Sequence, residues 1–487
     1  MRYHSKIAHF RSRPGNITLL LILLLLSVGV SFMISWLGFT SALMFIAGII
    51  GLALAVFMVA FPVFALYLTL SCSFFIFTLL RLFNTELPIV TAIDAMVWLT
   101  FLGVLINKAI KKESFWEHCR SPIMFMYLLI IIYNIIEFFN PNGGNTELYF
   151  LFMRRFLTLM LFLYCAIQLF TDVKSIDRFF KVWIFLALIS GLYACYEEWV
   201  GLPKFELNYI LADPLRERLS ALDSGGYRKS SFLSGCTDFG LLMAGSVIVV
   251  LTLYLKLKTS AGRKRLLLFS VLIMTLAMTY SGTRTATLML VIEVLLYVLM
   301  TITEGKTMIF AGLFALLFAV VIFGPSYGNG TLRRLKSTFE FSTEESLQVR
   351  DINRHGIQPY IYAHPIGGGV GTTGVAFYEY NIGHPLAGFP TDSGLLNIVL
   401  EYGWVGLIIQ CLTYFVILQQ GVNAYFRSGD PHHKVLLLSA TISIFGYVFA
   451  QYAQIAIGQI PSGFLFLAFN AAIIRLRQIE AARLIHT

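Results

Sequence analysis

The chain has 487 residues, 57% hydrophobic and 13% charged, with a mean hydropathy of +0.77. Soluble domains carry about 25% charged residues, so this composition excludes a soluble globular protein and indicates a chain built for lipid. The formal net charge of +10 could serve nucleic acid or anionic lipid. Most Lys and Arg stand at the ends of apolar runs, however, where the positive-inside rule puts them, and no nucleic-acid partner is expected.

A helix needs about 20 apolar residues to cross a bilayer. In chain order the candidate spans are 17–37, 42–60, 62–82, 90–106, 122–139, 149–170 and 179–200, then 238–256, 266–281, 284–302, 308–324, 394–418, 435–457 and 460–475. The first, Ile17–Leu37, follows Arg2, Lys6, Arg11 and Arg13. A signal peptide has a shorter apolar core, about 7–15 residues, so this segment is expected to be an uncleaved first helix. The pair 42–60 and 62–82 depends on Pro62 breaking one longer run, and 266–281 and 460–475 are the shortest. The expected fold class is an all-α polytopic membrane protein with about 12–14 spans.

Charge sets the orientation. The N-terminus, Lys108–Arg120, Lys174–Lys181, Lys256–Arg265, Arg427–Lys434 and Arg475–Arg483 fall on one side, which is then cytoplasmic, with both termini inside. Outside lie 83–89, 140–148, 201–237, the tight turn near Ser281–Arg284, and one large outer loop, 325–393. The expected organisation is spans with short loops over 1–324, the large loop 325–393, and C-terminal spans over 394–487. Cys72, Cys165, Cys195 and Cys411 lie inside apolar runs, with Cys119 and Cys236 near polar segments, and no disulfide framework or zinc spacing appears. No metal site or cofactor is expected, and His432-His433 reads as structural or solvated.

The outer connections are rich in Arg rather than Lys: Arg154, Arg155, Arg216, Arg218, Arg228, Arg284, Arg333, Arg334, Arg350 and Arg354. A guanidinium is a planar fork that matches phosphate oxygens and stays charged when partly desolvated. Several separate connections therefore deliver Arg to one surface, as an anionic, membrane-attached substrate would require. For any single Arg the alternative is contact with lipid head groups or with a loop carboxylate. Arg284, between two spans with almost no loop, is either a snorkelling helix end or a fixed cation for a lipid phosphate.

The loop 325–393 also holds His355, His364, His384 and Asp392. Its segment His364-Pro-Ile-Gly-Gly-Gly-Val-Gly371 could crowd backbone N–H groups round an anion, or be a flexible turn. Thr391-Asp392-Ser393 offers a helix N-cap. Asp392 could equally act as a general base at the membrane rim, with His384 and His355 as competing candidates. Glu401 lies about two turns into the following span, where an acid is costly and functional or paired.

Three stretches in order resemble the O-antigen ligase/polymerase superfamily of bacterial glycosyltransferases. They are Arg228 to Gly240, then Ser281-Gly-Thr-Arg-Thr-Ala286, then Arg350 through Gly371 to Asp392-Ser-Gly-Leu-Leu396 and Glu401–Leu407. The resemblance covers roughly 225–410. It implies a GT-C-like helical enzyme of the bacterial inner membrane. Such an enzyme takes undecaprenyl-diphosphate-linked glycan at the periplasmic face and needs no metal. Arg228, Arg284, Arg350 and Arg354 would bind diphosphate or glycan, assisted by Arg154 or Arg155, and Asp392, His384 or His355 would serve as base. Ligases of this family carry His-Asn where this chain has Asp392-Ser393. A polymerase joining repeat units of O-antigen, capsule or exopolysaccharide is therefore the first expectation and a ligase acting on lipid A core the second. A flippase, which would show internal repeats and midplane polar groups, is the third. Membrane lipid and a chain-length regulator are the further candidate partners.

Overall fold

The computed structural model describes residues 14–37, 39–83, 90–222, 225–325, 330–339 and 345–486. Among these, the one extended pairing is an isolated bridge between Ala221 and Tyr227; the rest is helix and connection. The chain divides into two compact units, Met1–Phe61 and Pro62–Thr487. In the first, α1 (Pro14–Leu37) and α2 (Phe39–Ala60) pack on each other.

The second unit opens with α3 (Pro62–Phe83), α4 (Val90–Lys111), α5 (Pro122–Ile136), α6 (Thr146–Leu169) and α7 (Val173–Trp199). Two short helices, α8 (Lys204–Leu211) and α9 (Pro214–Ser220), precede α10 (Cys236–Lys256), α11 (Ala261–Tyr280), α12 (Arg284–Met300) and α13 (Gly305–Phe323). Then come α14 (Gly330–Ser337), α15 (Glu345–Ala363), α16 (Gly394–Arg427), α17 (Pro431–Ala450) and α18 (Ser462–His486).

Each apolar segment marked in the sequence overlaps one of these helices, although 435–457 runs past the end of α17 at Ala450 and 122–139 ends in a 3-10 turn at Glu137–Phe139. Pro62 does break the long run: α2 stops at Ala60 and Pro62 begins α3, a position where a proline loses no helical hydrogen bond. Among the described residues nine helices are long and apolar enough to cross a membrane, so the chain is a multi-pass membrane protein. α12 misses that threshold by length, at 17 residues. The stretch 325–393, expected as loop, contains α14, α15 and a 3-10 turn at Val375–Tyr380.

α10 and α17 form the centre: 78% of the apolar stretch of each is buried, against 6% for α13, whose side chains face outward. α17 packs on α10, α12, α16 and α18, while α10 packs on α11, α12 and α7. Several polar groups inside are paired across helices. Trp183 Nε1 donates to Ser246 Oγ at 3.0 Å. Arg81 bonds Glu206 at 2.9 Å, with both side chains 3% exposed, and donates to the Ser231 carbonyl at 2.8 Å. Burial raises the Glu206 carboxyl above its ordinary value, with Arg81 opposing the rise in part. His432 is paired rather than solvated, with Asp177 at 2.9 Å.

α16 runs for 34 residues, about 51 Å at the helical rise and too long for a hydrocarbon core of about 30 Å. Gly403 divides it, with φ +64°. Residues 404–427 then span about 36 Å, and 394–402 form a separate turn-bearing segment. Glu401 therefore lies about two turns into α16, just before the break.

Candidate functional site

The turn between α11 and α12 gathers three of the arginines. Gly282 takes φ +59°, and a β-carbon there would meet Arg334 Cδ and Nε at 3.2 Å and Arg228 Cγ at 3.4 Å. Glycine is needed both for the left-handed backbone and for this approach. Arg228 Nε donates to the Ser281 carbonyl at 2.9 Å and Nη2 to Thr283 Oγ1 at 2.9 Å, while Nη1 reaches the Leu219 carbonyl at 3.3 Å. Arg334, on α14, donates Nε to the Gly282 carbonyl at 2.8 Å. Arg284 begins α12 and lines a small open cleft with Thr279, Thr283, Thr287, Thr331 and Arg334.

The turn is seated by α10. A β-carbon on Gly240 would lie 2.5 Å from Ser281 Oγ and 2.8 Å from Thr283 Cβ. Thr283, the residue before α12, does not cap it; its hydroxyl donates to the Cys236 carbonyl at 3.0 Å. Arg284, the first residue of α12, therefore stands at the positive end of the helix dipole. Among the described residues the partners of Arg228 are neutral oxygens, so its charge is held in place without a carboxylate. Such an arrangement favours a compact anion.

A second group lies where α15 meets the start of α16. Arg350 Nε stands 3.6 Å from Asp392 Oδ2, with the side chains 26% and 43% exposed. The cap of α16 is Ser393, whose Oγ accepts the Leu396 N–H at 3.3 Å and donates to the Gln451 carbonyl at 3.2 Å. Capping therefore does not account for Asp392. Arg354 lies over the Tyr452 ring at 4.6 Å and donates to its hydroxyl and carbonyl, each at 3.0 Å. His355 is exposed, with Nδ1 2.9 Å from the Asp351 carbonyl oxygen.

Other expected residues are occupied elsewhere. His384 Nδ1 accepts the Leu386 N–H at 3.1 Å, so Nε2 carries the proton and donates to the Asn142 carbonyl at 3.0 Å. Both ring nitrogens are used in holding the loop. Arg154 and Arg155 both meet Asp94, at 3.5 and 3.1 Å, and Asp94 is 5% exposed. The glycine run is neither an anion cradle nor a flexible turn: it is buried and clasps the break in α16. Gly368 and Gly369 N–H groups donate to the Leu400 and Glu401 carbonyls at 2.8 and 2.9 Å, and Trp404 N–H to the Pro365 carbonyl at 2.9 Å. Asn140 and Asn142 close the clasp by donating to the Ile366 and Gly367 carbonyls at 3.0 and 3.1 Å. Glu401 is paired within it, accepting from Thr373 Oγ1 at 2.5 Å.

Sequence reasoning noted Arg334 in the loop without assigning it to the site; its signal was the short amphipathic run Thr331-Leu-Arg-Arg-Leu-Lys336. It missed Asp94, whose signal was an acid inside an apolar run. Among the described residues no three His, Cys, Asp or Glu side chains gather as a metal would require.

These features define a polytopic helical membrane protein with a cationic cleft at one end of its bundle. Residues 269–411 match the family described as O-Antigen ligase, a segment running from α11 through the Arg284 turn, α14 and α15 into α16. This match supports the O-antigen ligase/polymerase superfamily, a class of glycosyltransferase-like membrane enzymes, over that segment of the chain. Arg284, Arg334, Arg350 and Asp392 lie inside the matched segment; Arg228, Arg154 and Arg155 lie before it. No curated protein sequence matches the chain.

Proposed function

We propose that the protein is a polysaccharide polymerase, transferring undecaprenyl-diphosphate-linked glycan to a sugar hydroxyl at the periplasmic face of the inner membrane. The observation that carries this reading is the convergence of Arg228, Arg284 and Arg334 on the Gly282 turn. Three guanidiniums and a helix N-terminus form a site for the donor diphosphate. The acceptor hydroxyl oxygen attacks the anomeric carbon and the bond from that carbon to the diphosphate breaks. The hydroxyl proton passes to the Asp392 carboxylate, which Arg350 orients. Negative charge on the departing diphosphate grows in the transition state, so fixed cations stabilise that state more than the ground state. Arginine supplies the charge that a metal ion would otherwise provide.

His384 is less suited to the base role, because the lone pair of Nδ1 is already taken by Leu386 N–H. Asp392-Ser393 in place of His-Asn favours polymerase over ligase. In the proposed topology both termini are cytoplasmic. The test is the glycan profile of a deletion strain. Single repeat units left on lipid diphosphate or on lipid A core, with long polymer lost, support the polymerase. Long polymer retained on lipid diphosphate but missing from its final acceptor would instead mean a ligase, and units trapped on the cytoplasmic face a flippase.

A further inference from the structure

α12 carries a second ionisable group that the site above does not use. Glu293 stands in mid-helix, 0% exposed, and neither carboxyl oxygen has a hydrogen-bond partner among the described residues. α17 makes room for it with a glycine: a β-carbon on Gly446 would run into the Glu293 carboxyl group. α17 is seated in turn on α10, where Gly245 receives the Tyr447 ring and accepts a hydrogen bond from Ser443 Oγ at 3.1 Å.

Among the described residues no cation bonds the Glu293 carboxyl. The residue after Gly446 on α17 is Tyr447, a titratable group that is itself fully buried. Asp238, Tyr254 and Lys256 lie towards the ends of α10, and His432, His433 and Lys434 begin α17. On α12 itself Tyr297 is one turn further on. An unpaired carboxylate in hydrocarbon costs several kcal/mol or more, whereas a neutral acid costs far less.

We propose that Glu293 is a proton-binding site in the membrane interior, occupied as the carboxylic acid, and that this proton keeps α12 seated against Gly446. Arg284 stands nine residues earlier on the same helix, about 13 Å along its axis. Charge or bulk at Glu293 would therefore push α12 away from α17 and carry Arg284 with it. The coupling to Arg284 rests on the polymerase reading; the proton site does not.

The probe is dicyclohexylcarbodiimide, which reaches protonated carboxyls in apolar surroundings. The acid adds across a C=N bond, its proton goes to nitrogen, and the adduct rearranges to an N-acylurea that retains the whole reagent mass. The full chain in proteoliposomes is treated and its peptides are weighed. Glu293 is expected to label about tenfold more than with a water-soluble carbodiimide, as its burial from water requires. Excess sodium should not protect it, and Glu293→Gln should abolish the adduct. Labelling should lower polymer formation about tenfold in the unmodified sequence, while Glu293→Gln, isosteric and neutral, stays within about twofold with or without reagent.

Absence of the adduct from folded protein overturns the proposal. Protection by sodium overturns it too, because the socket would then hold a metal cation. A folded but inactive Glu293→Gln contradicts the neutral-acid state, and labelling without loss of activity contradicts the coupling. Failure of the chain to make polymer under any condition would count against the polymerase and leave the labelling result standing.

Discussion

At the scale of single residues, the Gly282 turn makes sharp demands. Arg284→Ala, Arg228→Ala and Arg334→Ala are each expected to lower polymer formation by about 10²–10³, the usual cost of one transition-state charge donor. Protein abundance in the membrane should be unchanged, as an immunoblot would show. Arg284→Lys should recover only part, because an ammonium cannot give a bidentate contact; full recovery would remove the fork argument for that residue. Asp392→Asn should cost about 10²–10⁴ in rate, the range of a lost general base. His355→Ala, at an exposed ring, should stay near the parent rate. His384→Ala should act through stability, by about 1–3 kcal/mol for the buried backbone groups it leaves unpaired, read as a lower melting temperature in detergent. Arg228 and Arg284 were legible in the sequence because both sit where spans begin or end. Their convergence with Arg334 was not, because it depends on a left-handed glycine folding three segments onto one turn.

Helices and loops carry the next set of expectations. Glycines at 367 and 403 meet across the α16 break: a β-carbon on Gly367 would lie 2.5 Å from Gly403 N. Gly367→Ala or Gly403→Ala combines that collision with a strained backbone of about 1–2 kcal/mol. Either should release the 364–373 clasp, seen as faster protease cleavage within 325–393. The glycine run looked like an anion loop or a loose turn because composition shows only that the backbone can bend. What it bends around, the broken helix and the Asn140 and Asn142 side chains, comes from tertiary structure. The pairing of Arg154 and Arg155 was hidden for the same reason, since Asp94 arrives from another helix. Arg81 and Glu206 make a pair 125 residues apart in the chain. Glu206→Gln or Arg81→Ala alone should cost about 3–5 kcal/mol, and replacing both with apolar residues much less; thermal unfolding in detergent measures the difference.

For the whole molecule, hydropathy alone marked every apolar helix, because lipid demands long uninterrupted apolar runs and leaves little freedom in their placement. It said less about α14 and α15, which lie outside that constraint and depend on neighbours for their form. In the proposed function this chain extends a lipid-linked glycan by itself, using arginines to stabilise the departing diphosphate. The most direct measurement gives purified protein in proteoliposomes only undecaprenyl-diphosphate-linked repeat units, with a chelator present, and resolves the products by size. A ladder of longer lipid-linked chains that disappears with Arg284→Ala is the result expected. Units that stay single until lipid A core is added, and then transfer to it, would contradict the claim and make the protein a ligase.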